Sequence, residues 1–185
     1  MQAVDQKTMG KTRYQFMLEK FKSFIKEAED YDPDGPTIIL FGESLHEFPN
    51  TTLANIETKL PDGAHEGFTM THKVVERAWN IHREEKAELA KEKKVHPGTV
   101  VMIFTDGAPT NEKALEKIIV DIANSVDRDD EFSIGFILVG VIEPNLRQYL
   151  DKLDDGLKNV KYDIVGTSDI QDLTFLKAVN NAIHE

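Results

Sequence analysis

The chain contains no cysteine, which excludes disulfides, thiolate metal sites and cysteine nucleophiles. Long hydrophobic runs are missing as well. No stretch approaches the roughly 20 apolar residues that a bilayer demands, so no membrane span is expected. Positive charge is in short supply, with 22 Lys and Arg against 33 Asp and Glu and a formal charge of -11. Such a surface repels a phosphate backbone except at a local basic patch, and nucleic acid is not expected as the main ligand. The histidines His46, His65, His72, His82, His96 and His184 are dispersed, with no His-Glu-x-x-His pattern, and no serine-nucleophile elbow occurs. Hydrolytic chemistry is therefore not indicated. The opening residues, from Met1 to Arg13, have no apolar h-region and so no recognisable signal peptide, and a cytoplasmic location is the default expectation.

What is present is 185 residues with 40% hydrophobic content delivered in short clusters, the length and usage of one domain spanning 1–185. Phe16, Met17, Phe21, Phe24, Ile25 and Ala28 recur at helical spacing and predict an amphipathic helix over 11–30. Asp32-Pro33-Asp34-Gly35 breaks it as a turn. Although Asp30 to Gly35 imitates the opening of a calcium-binding EF-hand loop, its twelfth position is Phe41 and a strand follows it. Thr37 to Phe41 reads as a strand of the parallel type, buried on both faces. Leu45 to Phe48 is a short edge strand and Leu53 to Leu60 a short helix. Val74, Val75, Ala78 and Ile81 mark a helix from Thr71, with a solvated tail to Lys94 that Pro97-Gly98 stops. Thr99 to Phe104, Phe132 to Val139 and Val160 to Val165 are further strands, separated by helices on Leu115 to Val126 and on Leu146 to Leu153, with a last helix on Leu173 to Ile183. Trp79 and the aromatics of the first helix read as packing residues. This alternation predicts an α/β fold with a doubly wound, mostly parallel sheet flanked by helices on both faces, and ligands then bind beyond the strands' carboxyl ends.

Three segments occupy such ends: Val4 to Gly10, Glu66 to Thr71, and Phe104 to Pro109. They offer carboxylates and hydroxyls, the oxygen ligands that suit a hard cation such as Mg2+. Taken singly, Asp106-Gly107 is equally a turn and Thr69 a helix cap. Together the segments resemble the metal-ion-dependent adhesion site of the von Willebrand factor type A family. That site combines an Asp-x-Ser-x-Ser loop, a threonine in a Gly-rich loop, and an aspartate in a Thr-Asp-Gly turn. By this resemblance Asp5 matches the first aspartate, Thr69 in Gly67-Phe68-Thr69 the threonine, and Asp106 in Thr105-Asp106-Gly107 the second aspartate. The order of elements agrees from about Asp5 to His184.

The first loop departs from the family pattern, reading Asp5-Gln6-Lys7-Thr8-Met9 with the methionine one residue early. Aligned on the aspartate, Lys7 and Met9 replace both serines; aligned on the methionine, Thr8 supplies one hydroxyl. Either way a hydroxyl ligand is lost, and the Lys7 ammonium either weakens cation binding or stands in for the cation's charge. Only Gln2-Ala3-Val4 precede Asp5, a short run for a central strand. The resemblance implies a non-catalytic protein-interaction module. Asp5, Thr8, Thr69 and Asp106 would hold a weakly bound Mg2+, with Ca2+ or Mn2+ also compatible, and an acidic side chain of another protein would complete its shell. Lys7, Phe68, Gly107 and Ala108 would form the rim.

Two alternatives accompany this reading. One is a metal-free scaffold of the same fold, gripping a partner's acid through Lys7. The other is a P-loop nucleotidase built on Gly10-Lys11-Thr12, with Lys11 on phosphate, Thr12 on Mg2+ and Asp106 as the second acid. Asp5 stands where that motif's first glycine belongs, and a carboxylate there faces the anion to be bound.

Overall fold

The computed structural model describes residue 4 and residues 8–60, 69–171 and 173–183. Within them the chain is a mixed α/β structure of six helices and five strands. Helix α1 (Arg13–Ala28) begins at a capping box: the Thr12 side chain accepts from the Gln15 amide while the Gln15 side chain accepts from the Thr12 amide. Two otherwise orphaned donors are thereby satisfied. Strands β1 (Ile38–Phe41) and β2 (Leu45–Phe48) form an antiparallel hairpin, and the four-residue helix α2 (Ile56–Lys59) follows. Helix α3 (Thr71–Lys91) is bound to that hairpin by a two-pronged contact, Arg77 Nε and Nη2 donating to the Glu47 carboxylate at 2.6 and 2.9 Å. The Arg77 bonds hold the Glu47 carboxyl below its ordinary range, against a smaller opposing effect of burial.

The remaining strands, β3 (Thr99–Thr105), β4 (Phe132–Leu138) and β5 (Val165–Asp169), make a parallel sheet in chain order. Helices α4 (Glu112–Ala123) and α5 (Pro144–Asp155) connect them, and α6 (Phe175–Ile183) closes the described chain. Every residue of β4 is buried, Ser133 included, in keeping with its largely apolar run. Alternate β4 residues enter different clusters. Phe132, Ile134, Phe136 and Leu138 pack with α3, α4 and α5, whereas Ile137 packs with Phe16 and Phe24 of α1 and Ala178 of α6. Gly166 permits the second contact, because a Cβ there would collide with the Asn181 carbonyl of α6.

Two expectations change. The run Thr37 to Phe41 is not a parallel strand in a continuous sheet: β1 pairs antiparallel with β2, and no described strand lies between β1 and β3. The short turn after Phe41 makes the neighbouring segment the nearest ladder partner, and a two-to-three-residue turn can join only antiparallel strands. The last strand also lies later than Val160 to Val165. Lys161 and Tyr162 spend their hydrogen bonds on the loop after α4, Lys161 N on Asn124 and Tyr162 OH on the Asp127 carbonyl. Pairing with β4 therefore begins only at Ile164, whose carbonyl accepts from Ile134 N at 2.7 Å.

Candidate functional site at the end of strand β3

The Thr105-Asp106-Gly107 turn caps β3. Thr105 is buried, and its hydroxyl donates to the Gly107 carbonyl at 2.9 Å, while its own carbonyl accepts from Val139 N at 2.9 Å. The turn is thus fixed to the neighbouring strand from behind. This leaves Asp106 half-buried and Ala108 exposed. Thr69, in the approach to α3, is held alongside. Its carbonyl accepts from Thr110 N at 2.9 Å, and its Oγ1 lies 3.9 Å from the point a Cβ on Gly107 would occupy. A Cβ at 107 would stand in ordinary van der Waals contact with that hydroxyl.

The N-terminus of α1 reaches the same turn. Arg13 Nη1 lies 3.4 Å from Asp106 Oδ2, and Arg13 Nη2 donates to the Val141 carbonyl at 3.1 Å. The two side chains are 16% and 20% exposed, so this pair is partly shielded from water. Thr8 stands in the loop that enters α1; it is buried and its hydroxyl donates to the Lys11 carbonyl at 2.6 Å.

Of the residues expected to form a cation site, the structure brings together Thr69, Asp106 and the rim residue Gly107, with Ala108 beside them. Thr8 has its hydroxyl proton committed within its own loop. Asp5, Lys7 and Phe68 lie outside the described residues. No group of three or more His, Asp or Glu side chains is arranged to hold a metal among the described residues; the expected set relies on hydroxyls and on Asp5. The chemistry of the described donors, one carboxylate and hydroxyls, fits a hard cation, while the guanidinium on Asp106 already supplies one positive charge there. Arg13 was not legible in the sequence, because nothing about the first residue of an amphipathic helix announces a partner 93 positions away.

The residues of the rival phosphate motif are engaged locally. Lys11 Nζ pairs with both oxygens of Glu19 at 2.7 and 2.6 Å, and Thr12 caps α1. Val4, 57% exposed, makes an isolated antiparallel bridge to Thr12.

A second polar group, unforeseen from the sequence, occupies the opposite end of β3. His82 is fully buried on α3 and stacks on Trp79 with ring centroids 5.1 Å apart. Its Nδ1 meets Thr99 Oγ1 at 2.9 Å and its Nε2 meets Glu131 Oε1 at 3.1 Å. Glu131, 1% exposed, also accepts from Lys86 Nζ at 2.6 Å and from Asp127 N at 2.9 Å. Burial pushes the Glu131 carboxyl up, but the Lys86 ammonium, the Asp127 amide and His82 outweigh it and hold the group at about 2. Burial dominates at His82 and lowers it despite the Glu131 bond. The available signal was the spacing of Trp79, His82 and Lys86 along one helical face.

Compared with protein-family models, curated proteins and solved structures, the chain matches none. The site therefore rests on its own geometry.

Proposed function

We propose that the protein is a non-catalytic protein-interaction module of the von Willebrand factor type A kind, with β3, β4 and β5 the parallel part of a doubly wound sheet. It recognises an acidic side chain of a partner protein at the carboxyl end of β3. The observation that carries this reading is the apposition of Thr69 to the Asp106 turn, reached from loops that are far apart in sequence. A hard cation held there by Asp5, Thr8, Thr69 and Asp106 would still accept one more carboxylate, because two aspartates leave its oxygen shell incomplete.

A second reading is favoured by one contact. Arg13 on Asp106 places a permanent positive charge where the cation would otherwise sit, which supports a metal-free module that grips the partner's acid with Arg13 and Lys7. Calorimetric titration with Mg2+ and Mn2+ separates the two. The cation reading expects weak binding by the wild type, about tenfold stronger binding by Arg13→Gln, and none by Asp106→Ala. Absence of binding by all three folded proteins leaves the metal-free reading. Binding that survives Asp106→Ala removes the site from β3 altogether.

A further inference from the structure

Strand β5 is the outer strand of the parallel sheet and pairs with β4 on one side only. The Ile164 carbonyl accepts from Ile134 N and Ile170 N donates to the Leu138 carbonyl, so the even-numbered residues of this segment bond toward β4. Parallel ladders alternate, and the amides of Thr167 and Asp169 are therefore directed away from β4. Beside this edge lies a cavity of about 480 Å³ whose walls include Thr167, Ser168 and Asp169 of β5, Gln171 of the loop after it, and Lys177 and Asn181 of α6. None of its lining residues belongs to the candidate site at β3.

Three bonds fix these walls. Arg147 Nη2 of α5 donates to Asp169 Oδ1 at 2.7 Å, Lys20 Nζ of α1 donates to the Gln171 carbonyl at 3.0 Å, and Asn181 Nδ2 donates to Ser168 Oγ at 3.0 Å. What they leave over is mostly donors. Gln171 Nε2 is buried and has no hydrogen-bond partner, an arrangement that folded proteins avoid unless a ligand, an ion or water completes it. Lys177 is exposed, and its ammonium has no ion pair among the described residues. The Ser168 hydroxyl accepts from Asn181 and keeps its own proton for a further acceptor. Charge points the same way. Among the described residues that line the cavity or bond its lining, Lys20, Arg147 and Lys177 are cationic and only Asp169 is anionic, a local positive excess in a chain of net charge -11.

We propose that this cavity binds the oxyanion of a small molecule, a phosphate ester or a carboxylate, with Lys177 Nζ, Gln171 Nε2, the Ser168 hydroxyl and the outward Thr167 amide as its donors. The volume of about 480 Å³ lies within the range of small-molecule sites and leaves room for the body that carries the charged group. A cation is disfavoured there, because the one carboxylate of the lining is already engaged by Arg147. An apolar molecule is disfavoured too, since it would leave the buried Gln171 amide without an acceptor. This site does not rest on the cation reading at β3.

The probes are inorganic phosphate and succinate, titrated separately into isotope-labelled protein at constant ionic strength and followed by nuclear magnetic resonance. Saturable shifts are expected at the Gln171 side-chain amide and at the backbone amides of Thr167 and Ser168, and the tighter probe tells phosphate ester from carboxylate. Lys177→Gln should weaken binding about tenfold, whereas Lys113→Gln, at an exposed position of α4, should leave it unchanged. Gln171→Met keeps the side chain's length without its N–H. It should lose severalfold in affinity and no thermal stability, because the donor it removes has no partner to forfeit. Asp172 adjoins Gln171 and lies outside the described residues, so Asp172→Asn is titrated alongside. A wild type that binds neither probe overturns the proposal, and binding gained only in Asp172→Asn would make the chain's own carboxylate the occupant. Equal weakening by Lys177→Gln and Lys113→Gln means an adventitious ion only and overturns it as well. So does binding that neither Lys177→Gln nor Gln171→Met alters.

Discussion

The two ends of β3 carry polar groups of opposite character. At the amino end, His82 and Glu131 are sealed from water, and every partner needed to hold Glu131 ionised is in place. At the carboxyl end, Asp106 and Arg13 meet at 3.4 Å and are partly exposed, with Thr69 beside them. A buried charge tolerates no vacancy, because losing one partner leaves the other desolvated and unpaired. A pair whose side chains are 16% and 20% exposed is partly reached by water and exchanges partners more readily than a sealed one. The amino end is therefore suited to fixing α3 against β3 and β4, and the carboxyl end to exchanging one ligand for another.

The largest effect that tests this contrast is at Glu131. Glu131→Ala should destabilise the fold by about 3 kcal/mol or more, whereas Asp106→Ala should cost under about 1 kcal/mol. Urea denaturation of both variants measures the difference; equal losses would erase the distinction between the two ends.

Acid should reveal the same asymmetry. Glu131 is held below its ordinary value of 4.5 at about 2, so its contribution is complete above pH 4.5 and disappears as pH falls toward 2. At about 1.4 kcal/mol per pH unit, that window holds on the order of 3 kcal/mol. His82 is lowered from 6.5, so the unfolded chain takes up its proton first and stability begins to fall below pH 6.5. Both groups act in the same direction. Thermal unfolding between pH 7 and pH 3 should show a slope that Glu131→Gln flattens at its acid end and His82→Gln flattens near pH 6. A slope indifferent to both substitutions would place the acid sensitivity elsewhere.

A smaller effect concerns Lys7. Lys7→Ser removes an ammonium from the loop that holds Asp5, and cation affinity should rise by about tenfold or more, as expected from roughly 1 to 4 kcal/mol between unit charges at 4 Å. Calorimetry on folded wild type and variant reads it; unchanged affinity would mean that Lys7 points away from the site.

The smallest effect is at the other end of that loop. Lys11 pairs with Glu19 at 2.6 Å in the open, so Lys11→Ala should change stability by less than about 0.5 kcal/mol. Neither protein should turn over ATP or GTP. Mg2+-dependent turnover abolished by Lys11→Ala would instead make the phosphate reading the correct one.

Elements with a strong apolar pattern were legible in the sequence. Phe132 to Leu138 has to be a buried strand because seven residues without a charge and with almost no polar atoms have no other stable environment. The α1 face and the break at Asp32-Pro33 follow from local chemistry alone, whereas the helix starts after Thr12, which caps it, and not at residue 11 as expected. The Thr105-Asp106-Gly107 turn was equally legible, since a turn at the end of a buried strand needs only adjacent residues. What tertiary structure alone decided are the partnerships between distant segments. Arg13 on Asp106, Glu131 under His82, the antiparallel pairing of β1 and the cavity beside β5 all depend on where two separately specified elements come to rest. Periodicity records which face of an element is apolar, but an apolar face accepts many partners, and only the packed chain chooses among them.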